Sequence, residues 1–234
     1  MRGCLFVVVF AAIVLSVAAW FGSPILASTL IQAGLDNAGY HAATSTVSAT
    51  SDPPPKLLLG RADQVQIDGT DVDFRTFHAS RLELTLTDVD VFARTAARIS
   101  GRISGAELTT TDALPTTADV ALDGVVGAAN ATIVVDPATI DRLVKAAFLA
   151  KFGVAPASTE LVAPATLRIG VPGATIEGAF VVDPDGAIAL TTRLGSTVVF
   201  RLDPSFPLRL SSIAVEGGNL RITGVLDAET LLGG

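Results

Sequence analysis

The chain has 234 residues, half of them apolar but only 6% aromatic, and a formal net charge of −7. That balance excludes the basic stripe a nucleic-acid partner needs, and also polybasic docking on anionic lipid. The lone cysteine, Cys4, excludes an intrachain disulfide, so the fold rests on burial of aliphatic side chains.

Cys4 to Phe21 is apolar throughout except for Ser16, with Arg2 on its N-terminal side. At about 1.5 Å per residue such a run nearly spans a hydrocarbon core of about 30 Å. It exceeds the usual h-region of a signal peptide, yet small residues that suit cleavage end at Ala19 and at Ala27. Residues 1–22 are therefore expected to be a signal anchor or a signal peptide. In either case Arg2 stays inside and residues 23–234 leave the cytoplasm, either tethered to the cell membrane or released as a secreted or periplasmic domain.

Ser23 to Gly39 carries Ile25, Leu26, Leu30, Ile31 and Leu35 at helical spacing, closed by Gly39. Ala43 to Ala49 is a weak strand ended by Asp52-Pro53-Pro54-Pro55, and Leu57-Leu58-Leu59 forms a short apolar knot closed by Gly60. From Ala62 the period becomes two: Val65 and Ile67, then a turn signal at Asp68-Gly69, then Leu82, Leu84 and Leu86. The phase slips at Asp88, and a bulge there would return Val89 and Val91 to the common face. Ile99 to Leu108 contains the echo ISGRISG; Val120–Leu122 and Ala131–Val135 flank a Gly/Ala turn.

Pro137 to Phe152, PATIDRLVKAAFLAKF, is the strongest amphipathic pattern beyond the N-terminus. Ile140, Leu143, Val144, Ala147 and Phe148 form one stripe, with Asp136 suited to the N-cap, Pro137 to the first position and Gly153 to the stop. Strands resume at Glu160–Ile169, Ala174–Val182, Ala187–Leu194, Thr197–Leu202, Pro207–Glu216 and Asn219–Leu226, with turns at Asp185-Gly186 and Glu216–Asn219. Leu231–Gly234 reads as a loose tail. The expected fold is α+β in a single domain: a long curved antiparallel sheet around one or two amphipathic helices.

Chemistry-bearing patterns are weak. His41 and His78 stand without metal spacing, and no G-x-S-x-G elbow occurs. Asp68, Asp71 and Asp73 have carboxylate spacing that suits calcium but lack the loop and distal Glu of an EF-hand. Glu160 and Glu177 would suit glycosidase acids only if the fold brought them together. No cofactor or metal is expected. What remains is aliphatic surface, which either closes into a filled core or leaves a gap between helix and sheet.

Four segments resemble the bacterial LmeA-like phospholipid-binding family: KLLLGRADQVQIDG (Lys56–Gly69), LELTLTDVDV (Leu82–Val91), ATIVVDPATIDRLVKAAF (Ala131–Phe148) and IAVEGGNLRITG (Ile213–Gly224). The likeness spans about Lys56 to Leu226 and differs at Asp52–Lys56, where three prolines stand together, and at Pro204–Leu210. It implies a non-enzymatic envelope domain in which a curved sheet wraps a helix and holds an acyl chain between them. On that reading the protein is an exported, membrane-tethered binder or carrier of phospholipid or another acyl-chain lipid. Its groove would be lined by Ile140, Leu143, Val144, Ala147 and Phe148 on the helix and by Phe180, Leu190, Val198 and Phe200 on facing strands. The alternative is an envelope scaffold with a filled core.

Overall fold

A computed structural model describes residues 25–37, 39–74, 77–93, 95–108, 116–202 and 207–227. The expected N-terminal anchor or signal and the C-terminal tail lie outside them. Residues 25–37 are helical (α1). They are followed by β1 (Tyr40–Thr50), a 3-10 turn (Pro54–Leu59), β2 (Arg61–Phe74), β3 (Phe77–Asp90), β4 (Arg98–Leu108), β5 (Thr116–Val125) and β6 (Ala128–Val135). Helix α2 (Pro137–Phe152) comes next, then β7 (Ser158–Val162), β8 (Thr166–Val171), β9 (Ala174–Val182), β10 (Ile188–Thr192) and β11 (Gly195–Phe200), and finally β12 (Leu208–Glu216) and β13 (Asn219–Leu226).

The fold is α+β and antiparallel, with its strands sorted into two sheets. The large sheet runs β1-β2-β3-β4-β5-β6-β13-β12, and the small one β11-β10-β9-β8-β7. Residues 137–202 are thus an insertion between β6 and β12, the two strands that flank β13 in the large sheet. They fold as α2 plus the small sheet and return over its β5–β12 half. The stretch expected as one strand from Glu160 to Ile169 is a tight hairpin instead: β7 ends at Val162 and β8 begins at Thr166 across Pro164, which cannot donate to a ladder.

The register gives the large sheet one aliphatic face. Ile67, Leu84, Gly101, Leu122, Ala131, Gly224 and Leu210 stand opposite one another from β2 to β12. Beside them run Leu82, Ile103, Val120, Ile133, Ile222 and Ile213. The expected phase slip is present: Asp88 takes a left-handed conformation (φ 51), and Leu86 and Val89 on either side pack into the same core. The expected bulge does not form: the pairing of β2 with β3 keeps its register through that point.

The turn expected at Asp68-Gly69 does not form; β2 passes through it unbroken. Glycine is there for space, since a Cβ on Gly69 would lie 2.2 Å from the hydroxyl of buried Tyr40. The chain reverses direction only after Phe74. Two neighbouring glycines explain the echo in β4: a Cβ on Gly101 would meet the Glu83 carbonyl at 2.1 Å, and one on Gly105 the Ser80 hydroxyl at 2.5 Å.

Helix α2 begins and ends as its sequence dictates. The Asp136 carboxylate accepts hydrogen bonds from the amides of Ala138 (2.9 Å) and Thr139 (3.0 Å), and Gly153 closes the helix at φ 70. Hydrogen bonding from the Thr139 side chain, joined by these amides, holds the Asp136 carboxyl below its ordinary value of 3.8 despite partial desolvation. Asp136→Ala should cost about 1 kcal/mol at neutral pH. The carboxylate's contribution is complete above 3.8 and fades as pH falls through its lower folded value. Urea midpoints of wild type and variant should therefore converge in acid.

Candidate functional site

The aliphatic face is covered from two sides. Over β1 and β2 lies α1, whose Ala27, Ile31 and Leu35 point inward at successive turns; they join Val65, Ile67, Val72 and Leu82 in one core cluster, together with Leu57 of the 3-10 turn. Over β5, β6, β13 and β12 lies the insertion, with α2 packed against β11, β7 and β13 and with β9 against β12. A second cluster there joins Val120, Ile133, Ile222, the α2 stripe and the inner face of the small sheet.

Between the covers runs a seam. Leu84, Leu86 and Ile103 are only partly buried, and all three pack against both clusters. They stand on β3 and β4, with Gly101 opposite Leu84, whose side chain lies against the glycine. This seam joins the two cores of the molecule. The sequence showed its alternation but not how far either cover would reach.

Of the expected groove residues, Ile140, Leu143, Val144, Phe148, Phe180, Leu190 and Phe200 are all buried in the cluster under the insertion. Ala147 is half-buried at its edge. Val198 faces elsewhere: it pairs with Ala189, on the side of the small sheet opposite to Leu190. A register shift at Ile188/Ala189 brings Val199 inward instead, an irregularity that strict alternation cannot foresee. The space between α2 and the two sheets is a gap of about 10 Å³, lined by Ile140, Leu143, Phe180, Phe200 and neighbours from the large sheet. That is close to the room of a single water, whereas small-molecule sites run to about 300–1,000 Å³. The α2 stripe is met by sheet side chains. Phe148, 2% exposed, stacks at 5.0 Å on Phe152.

The polar ties of α2 run to the small sheet. Asp141 accepts hydrogen bonds from Thr159 of β7 and from Lys145, each at 2.7 Å, and Lys151 donates to the Ser196 carbonyl of β11. Burial pushes the Asp141 carboxyl up, but these two partners outweigh it and hold it below the ordinary range. Towards the large sheet the helix presents its apolar stripe. Helix and small sheet thus form one cap, seated through aliphatic contact and through a hydrogen bond from the Val215 amide of β12 to the Pro164 carbonyl at 2.6 Å.

Charged groups sit on the outer faces. Glu160 and Glu177 do come together, across Arg168, at 3.8 and 3.1 Å, as an exposed cross-strand network. Asp68, Asp71 and Asp73 all lie within β2, so they form no loop site; no metal-binding group of His, Cys, Asp and Glu occurs among the described residues. An open hollow of about 460 Å³ over β2–β5 is lined by polar Gln66, Asp68, Glu83, Thr85, Ser100 and Arg102 and reaches Leu84, Gly101 and Ala121. His78 hydrogen-bonds Asp73 at 2.8 Å, and this bond, aided by nearby Asp71 and Glu107, raises its pKa above 6.5 against slight desolvation.

The domain is β-rich, organised around an aliphatic face, with its charged groups outside. The comparison with known families is specific: the sequence model of LmeA-like phospholipid-binding proteins matches residues 13–225, and the chain belongs to that family. The family is one of lipid-binding domains. No curated protein and no solved structure matches the chain. No helix among the described residues is long and apolar enough to cross a membrane.

Two measurements check this geometry. Phe148→Ala should lower the unfolding free energy by about 3–5 kcal/mol, as truncation of a buried aromatic does; a loss below about 1 kcal/mol would place Phe148 outside the core. For His78, the protonated ring's contribution is complete below 6.5 and is lost as pH rises through its raised folded value. Its imidazole NMR titration midpoint should therefore lie above that of free histidine and fall in Asp73→Asn.

Proposed function

We propose that the protein is an exported, membrane-tethered phospholipid-binding or transfer protein of the cell envelope, with no catalytic step of its own. The observation that carries this reading is the aliphatic face running across the strands of the large sheet, covered at both sides and half-open at Leu84, Leu86 and Ile103. Membership in a phospholipid-binding family supports it. The apolar run Cys4–Phe21 would hold the chain at the membrane as an anchor, or export it if cleaved.

On this reading an acyl chain first lies along the seam. It then extends beneath the cap as α2 and the small sheet lift together from the large sheet. The α2 stripe, Ile140, Leu143, Val144, Ala147 and Phe148, forms the movable wall, with Phe180, Leu190 and Phe200 behind it and Val198 at the outer side of the small sheet. Each methylene removed from water contributes about 0.8 kcal/mol, so acyl chains bind tightly without a specific polar contact. The near-absence of space beside α2 favours a second reading, an envelope scaffold whose core stays filled.

One experiment separates the two. The full chain is incubated with a phospholipid bearing a photoactivatable group in its acyl chain, irradiated and mapped by peptide mass spectrometry. Lipid binding predicts adducts on Leu82–Ile103 and on Pro137–Phe152, apart from any on the N-terminal run. Leu84→Asn with Ile103→Asn should weaken the β3–β4 labelling roughly tenfold, the equivalent of about two methylene contacts. Adducts confined to the N-terminal run would leave the scaffold reading standing.

A further inference from the structure

The seam accounts for the inner face of the large sheet, but one end of the molecule also exposes apolar side chains on the outside. Leu59 in the 3-10 turn is 70% exposed and Phe92, after β3, is 73% exposed. They form one surface: the Phe92 ring covers Gly60, where a Cβ would come within 2.4 Å of it, and the Val91 amide donates to the Gly60 carbonyl at 2.8 Å. Leu58 extends the patch on the other side of Leu59, and Leu57 between them and the sheet is buried, so the turn is pinned by one leucine while offering two.

The first turn of α1 lies towards the same end. The chain reverses at Gly39 and α1 doubles back along β1, where the Ser45 hydroxyl donates to Gln32 at 3.1 Å. Ala27, further back, joins Ala49, Leu57 and Ala62 in one cluster. Ile25 and Leu26, which immediately precede Ala27, are exposed. The chain that precedes residue 25, carrying the apolar run Cys4–Phe21, therefore joins the fold at the end where Leu58, Leu59 and Phe92 are displayed.

We infer that this end is a membrane-docking lip: Ile25, Leu26, Leu58, Leu59 and Phe92 insert into the bilayer surface and set the strands of the large sheet end-on to it. Contiguous exposed apolar surface marks a partner, and where the chain's own apolar run arrives that partner is a lipid bilayer rather than a protein. The contact is apolar and not electrostatic. Lys56 beside the patch is paired with Asp63 at 3.9 Å, Arg98 with Asp123 at 3.8 Å, and exposed Arg61 stands opposite Asp90 in the β2–β3 register. Docking therefore does not need anionic lipid. It is also independent of acyl-chain uptake: the lip holds the surface whether or not the seam takes a chain.

The test uses the full chain in proteoliposomes with Cys4→Ser, so that a single introduced cysteine carries an environment-sensitive fluorophore. Labels at Leu59→Cys and Phe92→Cys should shift to shorter wavelength and be quenched severalfold by lipids spin-labelled in their acyl chains. A label at Thr117→Cys, exposed at the far end of β5, should be quenched by aqueous iodide only. The result should be the same in pure phosphatidylcholine and with phosphatidylglycerol added, and should persist in high salt. Iodide quenching at Leu59 and Phe92 equal to that at Thr117 overturns the inference. So does shielding from iodide without lipid quenching, which would place a second copy or the chain's own N-terminal segment on the patch. Lipid photolabelling at the seam reads the other proposal, so either can fail alone.

Discussion

The structure depends on one constraint: an aliphatic face that extends across a long antiparallel sheet and has to be taken out of water. At about 25 cal/mol per Å² of apolar surface, leaving such a face exposed would cost more than a domain's whole net stability. One helix is too narrow to cover it. The chain uses two covers from different parts of the sequence, α1 ahead of the first strand and the α2–small-sheet insertion between β6 and β12. Because they approach from opposite sides, they leave Leu84, Leu86 and Ile103 between them. The seam follows from covering a long sheet with two short lids.

The way each lid is fastened bears on what it can do. Directional bonds of α2 run to β7 and β11 of its own insertion, through Asp141–Thr159 and Lys151–Ser196. The α2 stripe meets the large sheet through aliphatic contact, which carries little geometric preference. The charged pairs elsewhere lie on exposed strand faces, where each contributes about 0–1 kcal/mol. With no disulfide available, the α2 cap rests on the large sheet through aliphatic contact and the Val215–Pro164 hydrogen bond.

Much of this was legible in the sequence because local chemistry and tertiary placement agree. Asp136, Pro137 and Gly153 fix α2 whatever it packs on, and the stripe from Ile140 to Phe148 could face only a core. The phase slip at Asp88 was legible for the same reason: two apolar parities have to meet on one face. The misses occur where a distant group decides. Gly69 looks like a turn residue until the Tyr40 ring is placed over it, and Val198 looks inward until the shift at Ile188/Ala189 substitutes Val199. Leu84 and Ile103 carry the same alternation as fully buried neighbours. What distinguishes them is the absence of a lid, and no local pattern records where a lid ends.

On the proposed reading, the filled interior beneath α2 would set the order of events in lipid binding. Sliding a chain under the cap exchanges protein–protein contact for protein–lipid contact, so each methylene there contributes less than the full transfer value of about 0.8 kcal/mol. Along the seam the side chains are still partly in water, and a methylene laid on them removes apolar surface from both partners. Net gain is therefore greatest at Leu84, Leu86 and Ile103 and declines towards Phe148. Binding that begins at the seam also supplies free energy to lift the cap, whereas binding that had to begin under α2 would require the cap to open first with nothing to replace its contacts.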